Sequence, residues 1–406
     1  MKKIIILLLF LCVSSCKEPK KIKSLDGIWL AQLEVMDDEV LPFNFRLISD
    51  EAGRYKMEIY NADEVIIVDE IEIIDDSVTV RTPVFEGYLG GKFSENTMEG
   101  EFIKESLDRI VPFKAIRGVK QRFKTRNKPI GEISGIWETE FSPGTEDAYL
   151  AKGIFSQTDN IVKGTFRTTT GDYRYLEGVM DGDSVKLSTF DGAHAFLFTA
   201  KVSDSALNGT FYSGNHFKEP FVAVRNEFYE LPSEDSLTYL KEGYDKLTFS
   251  FPDVSGKVVS LDDGQFKNKV VVVQIMGTWC PNCLDETKFL VTYLKNNPNL
   301  EVEVVALAFE YAKTSAGAFK SIQRLRDRIG VEYPILLAQF GTSDKEEAQK
   351  KLPMLNHVLS YPTTIFIDRQ GNVRKIHTGF NGPATGEKSD EFKTGFDAFI
   401  KKLLAE

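Results

Sequence analysis

The sequence predicts two antiparallel all-β modules, barrel-like or sandwich-like, followed by an α/β domain built on a mostly parallel sheet. Three observations carry this reading. Asp26-Gly27-Ile28-Trp29 returns as Ser134-Gly135-Ile136-Trp137, 108 positions on. Phe113-Lys114-Ala115-Ile116-Arg117 returns as Phe221-Val222-Ala223-Val224-Arg225, and Met98-Glu99-Gly100-Glu101-Phe102 as Leu207-Asn208-Gly209-Thr210-Phe211, in the same order at nearly the same spacing. Such a period marks a duplication. Each copy alternates apolar and polar residues between frequent turn signals, as half-buried antiparallel strands do. Beyond about residue 246, β-branched runs instead alternate with helical periods, the pattern of a parallel sheet covered on both faces.

Taken in order, the chain opens with Lys2-Lys3 and a short apolar stretch at 4–11, too short to span a bilayer. Val13-Ser14-Ser15-Cys16 resembles a bacterial lipobox. The resemblance implies a signal peptide at 1–15, cleavage before Cys16 and lipidation of its thiol, with a basic tether at 16–24; the plainer reading is a secretory signal with an incidental cysteine. Cys12 would leave with the peptide, so the mature chain would carry one lipidated cysteine and one Cys-x-x-Cys, which suits an oxidising, extracytoplasmic compartment. The 406 residues carry a net charge of −10, which argues against nucleic-acid binding.

The β modules are expected at 25–118 and 130–225. Turn signals such as Asp50-Glu51-Ala52-Gly53, Gly90-Gly91 and Asp191-Gly192 recur every ten or so residues, which fits a meander, sandwich or small barrel. The Gly-x-Trp openings are similar to those of lipocalin-type barrels. Residues 168–175 and 211–217 are dense in aromatic and polar groups. Arg174, Tyr212 and His216 read either as a ligand-binding face or as ordinary positions on a solvated face. The first copy lacks counterparts, so a ligand site would belong mainly to the second. Acidic residues 226–245, with Pro232, read as a linker with a short helix at 236–244.

The third domain, 246–406, has strands expected at about 270–276, 302–309, 334–338, 363–368 and 372–378. Its helices are expected at about 281–296, 314–329, 344–358 and 389–404. Val270-Val271-Val272-Val273 leads to Gly277-Thr278-Trp279-Cys280-Pro281-Asn282-Cys283. Pro281 suits the first helical position, which places Cys280 at a helix N-terminus, where free N–H groups and the dipole stabilise a thiolate. Cys283, one turn on, is within disulfide reach and is the more buried, resolving partner. Half of a zinc site is the competing reading; it lacks a second Cys/His pair, since His194, His216, His357 and His377 are scattered singly.

Trp279-Cys280-Pro281-Asn282-Cys283 after an apolar strand, with Tyr361-Pro362-Thr363-Thr364 downstream, resembles the thioredoxin superfamily. Phe249 to Asp253, Gly256 to Leu261 and the stretch from Thr364 to Val373 are similar to its extracytoplasmic TlpA/ResA-type branch. The resemblance covers 246–406. It implies a thiol-disulfide oxidoreductase whose only redox group is the Cys280–Cys283 disulfide, with no metal or other cofactor. It implies a cis bond before Pro362, turning the Tyr361 backbone towards Cys280, and substrate contacts at Trp279, Tyr361 and Thr363. Gln274 stands where thioredoxins usually carry a buried aspartate; Glu310 matches an active-site glutamate of the branch, able to shuttle a proton to or from Cys283, or else is a charge capping a strand. The partners implied are a protein disulfide substrate, a membrane electron donor and, through Cys16, the membrane. Cytochrome c maturation is one use in relatives. The rival readings are a disulfide oxidase or isomerase, a redoxin-like thiol peroxidase, whose motif the Cys280 surroundings fit poorly, and a non-enzymatic lipoprotein whose β modules bind a glycan or protein.

Overall fold

The computed structural model describes residues 24–203 and 205–406; the expected signal peptide, Cys16 and all of the tether except Ser24 lie outside them. In the first module the strands run in the order Glu64–Val68, Tyr55–Asn61, Val40–Ser49, Gly27–Glu34, Arg109–Arg117, Thr97–Lys104, Tyr88–Phe93, Ser77–Arg81, Glu70–Ile74, with each neighbouring pair antiparallel. The second module repeats the plan, but there Ile161–Thr168 pairs with both Tyr149–Thr158 and Leu176–Asp181, so the sheet closes on itself. The repeated motifs have a common physical job. Trp29 and Trp137 are fully buried and donate their indole N–H to Leu25 O and Ile133 O at 3.0 and 2.9 Å. Arg117 and Arg225 lie beside them in the ladder and tie down the entering chain through Ser24 O and Glu132 O. Gly100 is glycine because a Cβ there would stand 2.1 Å from Gly90 O on the next strand.

The second barrel has no lipocalin-like lumen. Phe141 lies within 5.0–6.4 Å, centroid to centroid, of Tyr149, Phe166, Phe198, Phe211 and Phe221, which fill the interior as expected for a barrel of this strand number. Its outer face completes the first module. Phe190 stacks on Phe43 at 4.3 Å and meets Phe102 edge-on, and buried Asn61 accepts from Phe190 N and donates to Phe190 O. The modules therefore share one apolar core rather than merely touching.

The third domain is a five-stranded sheet in the order Ile335–Gln339, Val302–Phe309, Val270–Met276, Thr363–Ile367, Val373–Thr378. The first three strands are parallel; the last two run antiparallel through the turn at 368–372. Helices α1 (Pro281–Asn296), α2 (Ser315–Ile329), α3 (Lys345–Lys351) and α4 (Glu387–Ala405) surround it. Val270–Met276 is buried at every position, as a central strand covered on both faces must be. This is a thioredoxin-like fold. Two expectations are corrected. α3 stops at Lys351 because the chain must turn so that Leu355 can bridge Leu240 and Asn356 can pair with Tyr239. The linker helix shrinks to a single 3-10 turn, Glu234–Ser236, because Asp235 is held by His377 and Lys375.

The β modules are bound to this domain by charge and by Val84, Phe85 and Ala193, which pack into its apolar core. Arg324 and Arg328 of α2 pair with Glu70 and Asp69. Arg174, at φ +65°, is buried and meets Asp285 of α1, Glu64 of the first module at 2.9 Å and Asp191 at 3.6 Å. Arg174, Tyr212 and His216 thus form neither a common ligand face nor a solvated one: Arg174 is an interdomain ion cluster, Tyr212 packs between the modules, and His216 is exposed. Phe190→Ala, which empties the shared core, is expected to cost about 3–5 kcal/mol, read as a lowered denaturation midpoint with both modules unfolding in one transition.

Candidate active site

The strand Val270–Met276 delivers the chain to Gly277, where a Cβ would collide with the Trp279 indole at 2.3 Å, so the turn into α1 requires glycine. Cys280 caps α1: its Sγ accepts from Cys283 N at 3.2 Å. The same sulfur lies 3.3 Å from Tyr361 O, to which the thiol donates. The Tyr361–Pro362 bond is cis. Both thiols are free; Cys280 is 6% exposed and Cys283 is fully enclosed. A thiolate at Cys280 would therefore receive a backbone N–H at a helix start. Cys283 is held in the thiol form, its pKa raised by burial first and then by its hydrogen bond with Cys280.

The expected substrate-contact residues divide. Trp279 donates to Phe309 O at 2.9 Å and meets the Tyr361 ring edge-on at 5.5 Å, so the two aromatics flank the thiol. Thr363 is buried, its hydroxyl given to Ser360 O. Glu310 accepts from Thr278 N at 2.8 Å and Thr278 Oγ1 at 2.7 Å, so both carboxylate oxygens hold the turn before Trp279. Burial raises its pKa to about 7.

A second buried carboxylate is in electrostatic contact with Cys283. Glu286, one turn along α1, is fully buried and accepts from Gln274 Nε2 at 2.8 Å and from Thr364 Oγ1. Gln274 Nε2 also reaches Cys283 O at 3.4 Å. Burial lifts Glu286 to about 7 against the pull of these hydrogen bonds, and its charge in turn pushes Cys283 upward. The sequence held a signal for it: a glutamate three positions after the second cysteine shares its helix face. Gln274 in place of aspartate was a second signal, because a buried amide on a central strand needs a partner.

One flank of the dithiol is covered by the second barrel. Its turn at 170–172 lies against three parts of the site at once. Ser360 Oγ donates to Thr170 O at 3.0 Å, Asn282 Nδ2 to Asp172 O at 3.3 Å, and Gly382 N to Asp172 Oδ2 at 2.5 Å. A Cβ on Gly379 would stand 2.7 Å from Thr170 O.

The C-terminal part of the chain is similar to known proteins. Residues 241–392 match the family model described as Redoxin. The chain is 29% identical over 140 residues to the thioredoxin-like protein YneN of Bacillus subtilis, covering 34% of this chain and 73% of that one. It is 28% identical over 140 residues to the thiol-disulfide oxidoreductase ResA of the same organism, covering 34% and 69%. A solved thiol:disulfide interchange protein of the thioredoxin family from Chlorobium tepidum aligns at 22% identity and a TM-score of 0.30, over 40% of this chain and 98% of that one. The C-terminal region is a redoxin domain of the thiol-disulfide oxidoreductase type.

Glu286 and Glu310 both bind protons in the folded chain that the unfolded chain releases, in the window from 4.5 to about 7. Stability is therefore whole below that window and falls as pH rises through it. Glu286→Gln is expected to remove part of that fall, on the order of 3 kcal/mol. Melting curves would show the variant gaining on the parent between pH 5 and pH 8.

Proposed function

We propose that this redoxin domain serves an extracytoplasmic, lipid-anchored reductase of protein disulfides. The observation that carries the proposal is the shared position of Cys280 Sγ, between Cys283 N and Tyr361 O. An extended substrate segment would pair with the Tyr361 backbone and present its disulfide to that sulfur. The Cys280 thiolate attacks one substrate sulfur; the substrate S–S bond breaks, a mixed disulfide forms and one substrate thiolate leaves and takes up a proton. Cys283 then gives its proton to Glu286, the buried carboxylate nearest in chain and environment, and attacks Cys280. The second substrate thiol departs, and two electrons have passed from the dithiol to the substrate. A membrane electron donor would restore the dithiol. Anchoring through Cys16 rests on the lipobox-like sequence, and cytochrome c maturation or protein thiol maintenance are the settings implied by the resemblance to the TlpA/ResA-type branch.

Cys283→Ser is expected to accumulate its substrate as a mixed disulfide at Cys280, identifiable by mass after non-reducing separation, whereas Cys280→Ser should trap nothing. Proton transfer is separable from this. Glu286→Gln should shift the pH profile of thiol alkylation by about one unit or more, and Glu310→Gln should shift it less. Profiles identical to the parent in both variants would exclude carboxylate assistance.

A further inference from the structure

We propose that the interdomain cleft beside Trp279 is the substrate-binding site, and that it selects disulfides flanked by acidic residues in an extended polypeptide. The inference rests on the reductase reading and adds the substrate class. The cleft has a volume of about 1090 Å³ and lies between both β modules and the redox domain, which contributes Trp279 and Tyr311 to its wall. That is the upper end of the range for small-molecule sites, with room for a chain segment. It runs up to the residue preceding Cys280. Substrate cannot approach from the opposite flank, where the 170–172 turn already occupies Asn282, Ser360 and Gly379.

The cleft also holds positive charge in a chain of net charge −10. Lys104 donates to Ala193 O at 2.9 Å, and among the described residues neither Lys104 nor Arg109 has a carboxylate within ion-pair distance. His216 shares the same rim. Desolvation, followed by the Arg109 charge, lowers Lys104 to about 8; desolvation, followed by the Arg109 and Lys104 charges, holds His216 at about 4. Two cations this close repel each other, and an anion that joins them relieves the repulsion. The acidic groups nearby answer them only in part: Asp191 and Glu86 act on Lys104 without an ion pair and weigh less than its desolvation and the Arg109 charge, Glu219 is committed to Ser142 and Tyr149, and Asp147 is exposed on the second barrel. Lys218 is neutralised by Asp37. Phe196, Phe211 and Phe217 offer apolar surface in the same cleft as the charges and Trp279. An occupant with carboxylates set off from an apolar stretch that carries the disulfide matches this layout.

The test uses the full chain, reduced beforehand, in single-turnover mixing followed by tryptophan fluorescence. The oxidants are two cyclic disulfide peptides, alike except for glutamate or glutamine flanks, and bis(2-hydroxyethyl) disulfide. The parent is expected to reduce the glutamate peptide roughly tenfold faster or more, the low end of what a cleft of one sign of charge provides, with the advantage shrinking as salt is added. Lys104→Met and Arg109→Gln together should bring the ratio of the two peptide rates near one. Arg109→Gln alone, which removes no hydrogen bond among the described residues, should lower it in part. Equal rates on the two peptides in the parent, or an unchanged ratio in the variants, would overturn the cleft assignment and leave the reductase reading standing. Failure to reduce even bis(2-hydroxyethyl) disulfide would overturn both.

Discussion

The arrangement of this molecule depends on one buried guanidinium. Arg174 sits in a left-handed turn of the second barrel and is surrounded by carboxylates from three places: Asp285 on the redox helix, Glu64 on the first module and Asp191 on its own barrel. Burial opposes its charge; Asp285, then Glu64, Asp191 and Asp172, more than offset that. Conversely, burial pushes Glu64 and Asp172 upward, so these acids depend on the one cation between them. Breaking such a cluster from either side leaves unpaired charge in a dry interior. The turn that carries Arg174 is therefore held against α1, and with it the adjacent backbone that closes one flank of the dithiol.

That closure changes what the redox site can be. A thiol at a helix start beside a Pro-linked backbone is open chemistry, able to meet any disulfide that reaches it. Here the β modules set the reach. Among the described residues, the aromatic and basic cleft to which both modules contribute is the broad approach away from the closed flank, and in the proposal made above the modules act there through geometry and charge. The filled interior of the second barrel fits this role, because its aromatic side chains leave the barrel rigid rather than receptive.

Two carboxyls, Glu286 and Glu310, are shifted alike by the same cause and yet placed differently. Both are dry. Glu310 spends both oxygens on Thr278 and so stiffens the turn that presents Trp279. Glu286 is held by a glutamine and a threonine from neighbouring strands, within electrostatic reach of Cys283. Both acids commit both oxygens to hydrogen bonds; the charge of Glu286 acts on Cys283, and the proposed proton transfer rests on that.

Much of this was legible in the chain. The duplication and its Trp and Arg anchors, the switch from period two to helical period, and the Cys-x-x-Cys at a strand-to-helix junction are local patterns, since the residues that define them are close in sequence or repeat at a constant interval. Glu286 was within reach too, one helical turn from Cys283. What the sequence could not decide was where faces meet. Phe190 points outward from its own barrel and becomes core only because the first sheet remains open; Arg174 looks like a surface residue until Glu64 and Asp285, each more than a hundred positions away, close around it. Burial and charge pairing of that kind belong to the packed chain, because they depend on which distant groups displace water from each other, and no spacing along the backbone encodes that.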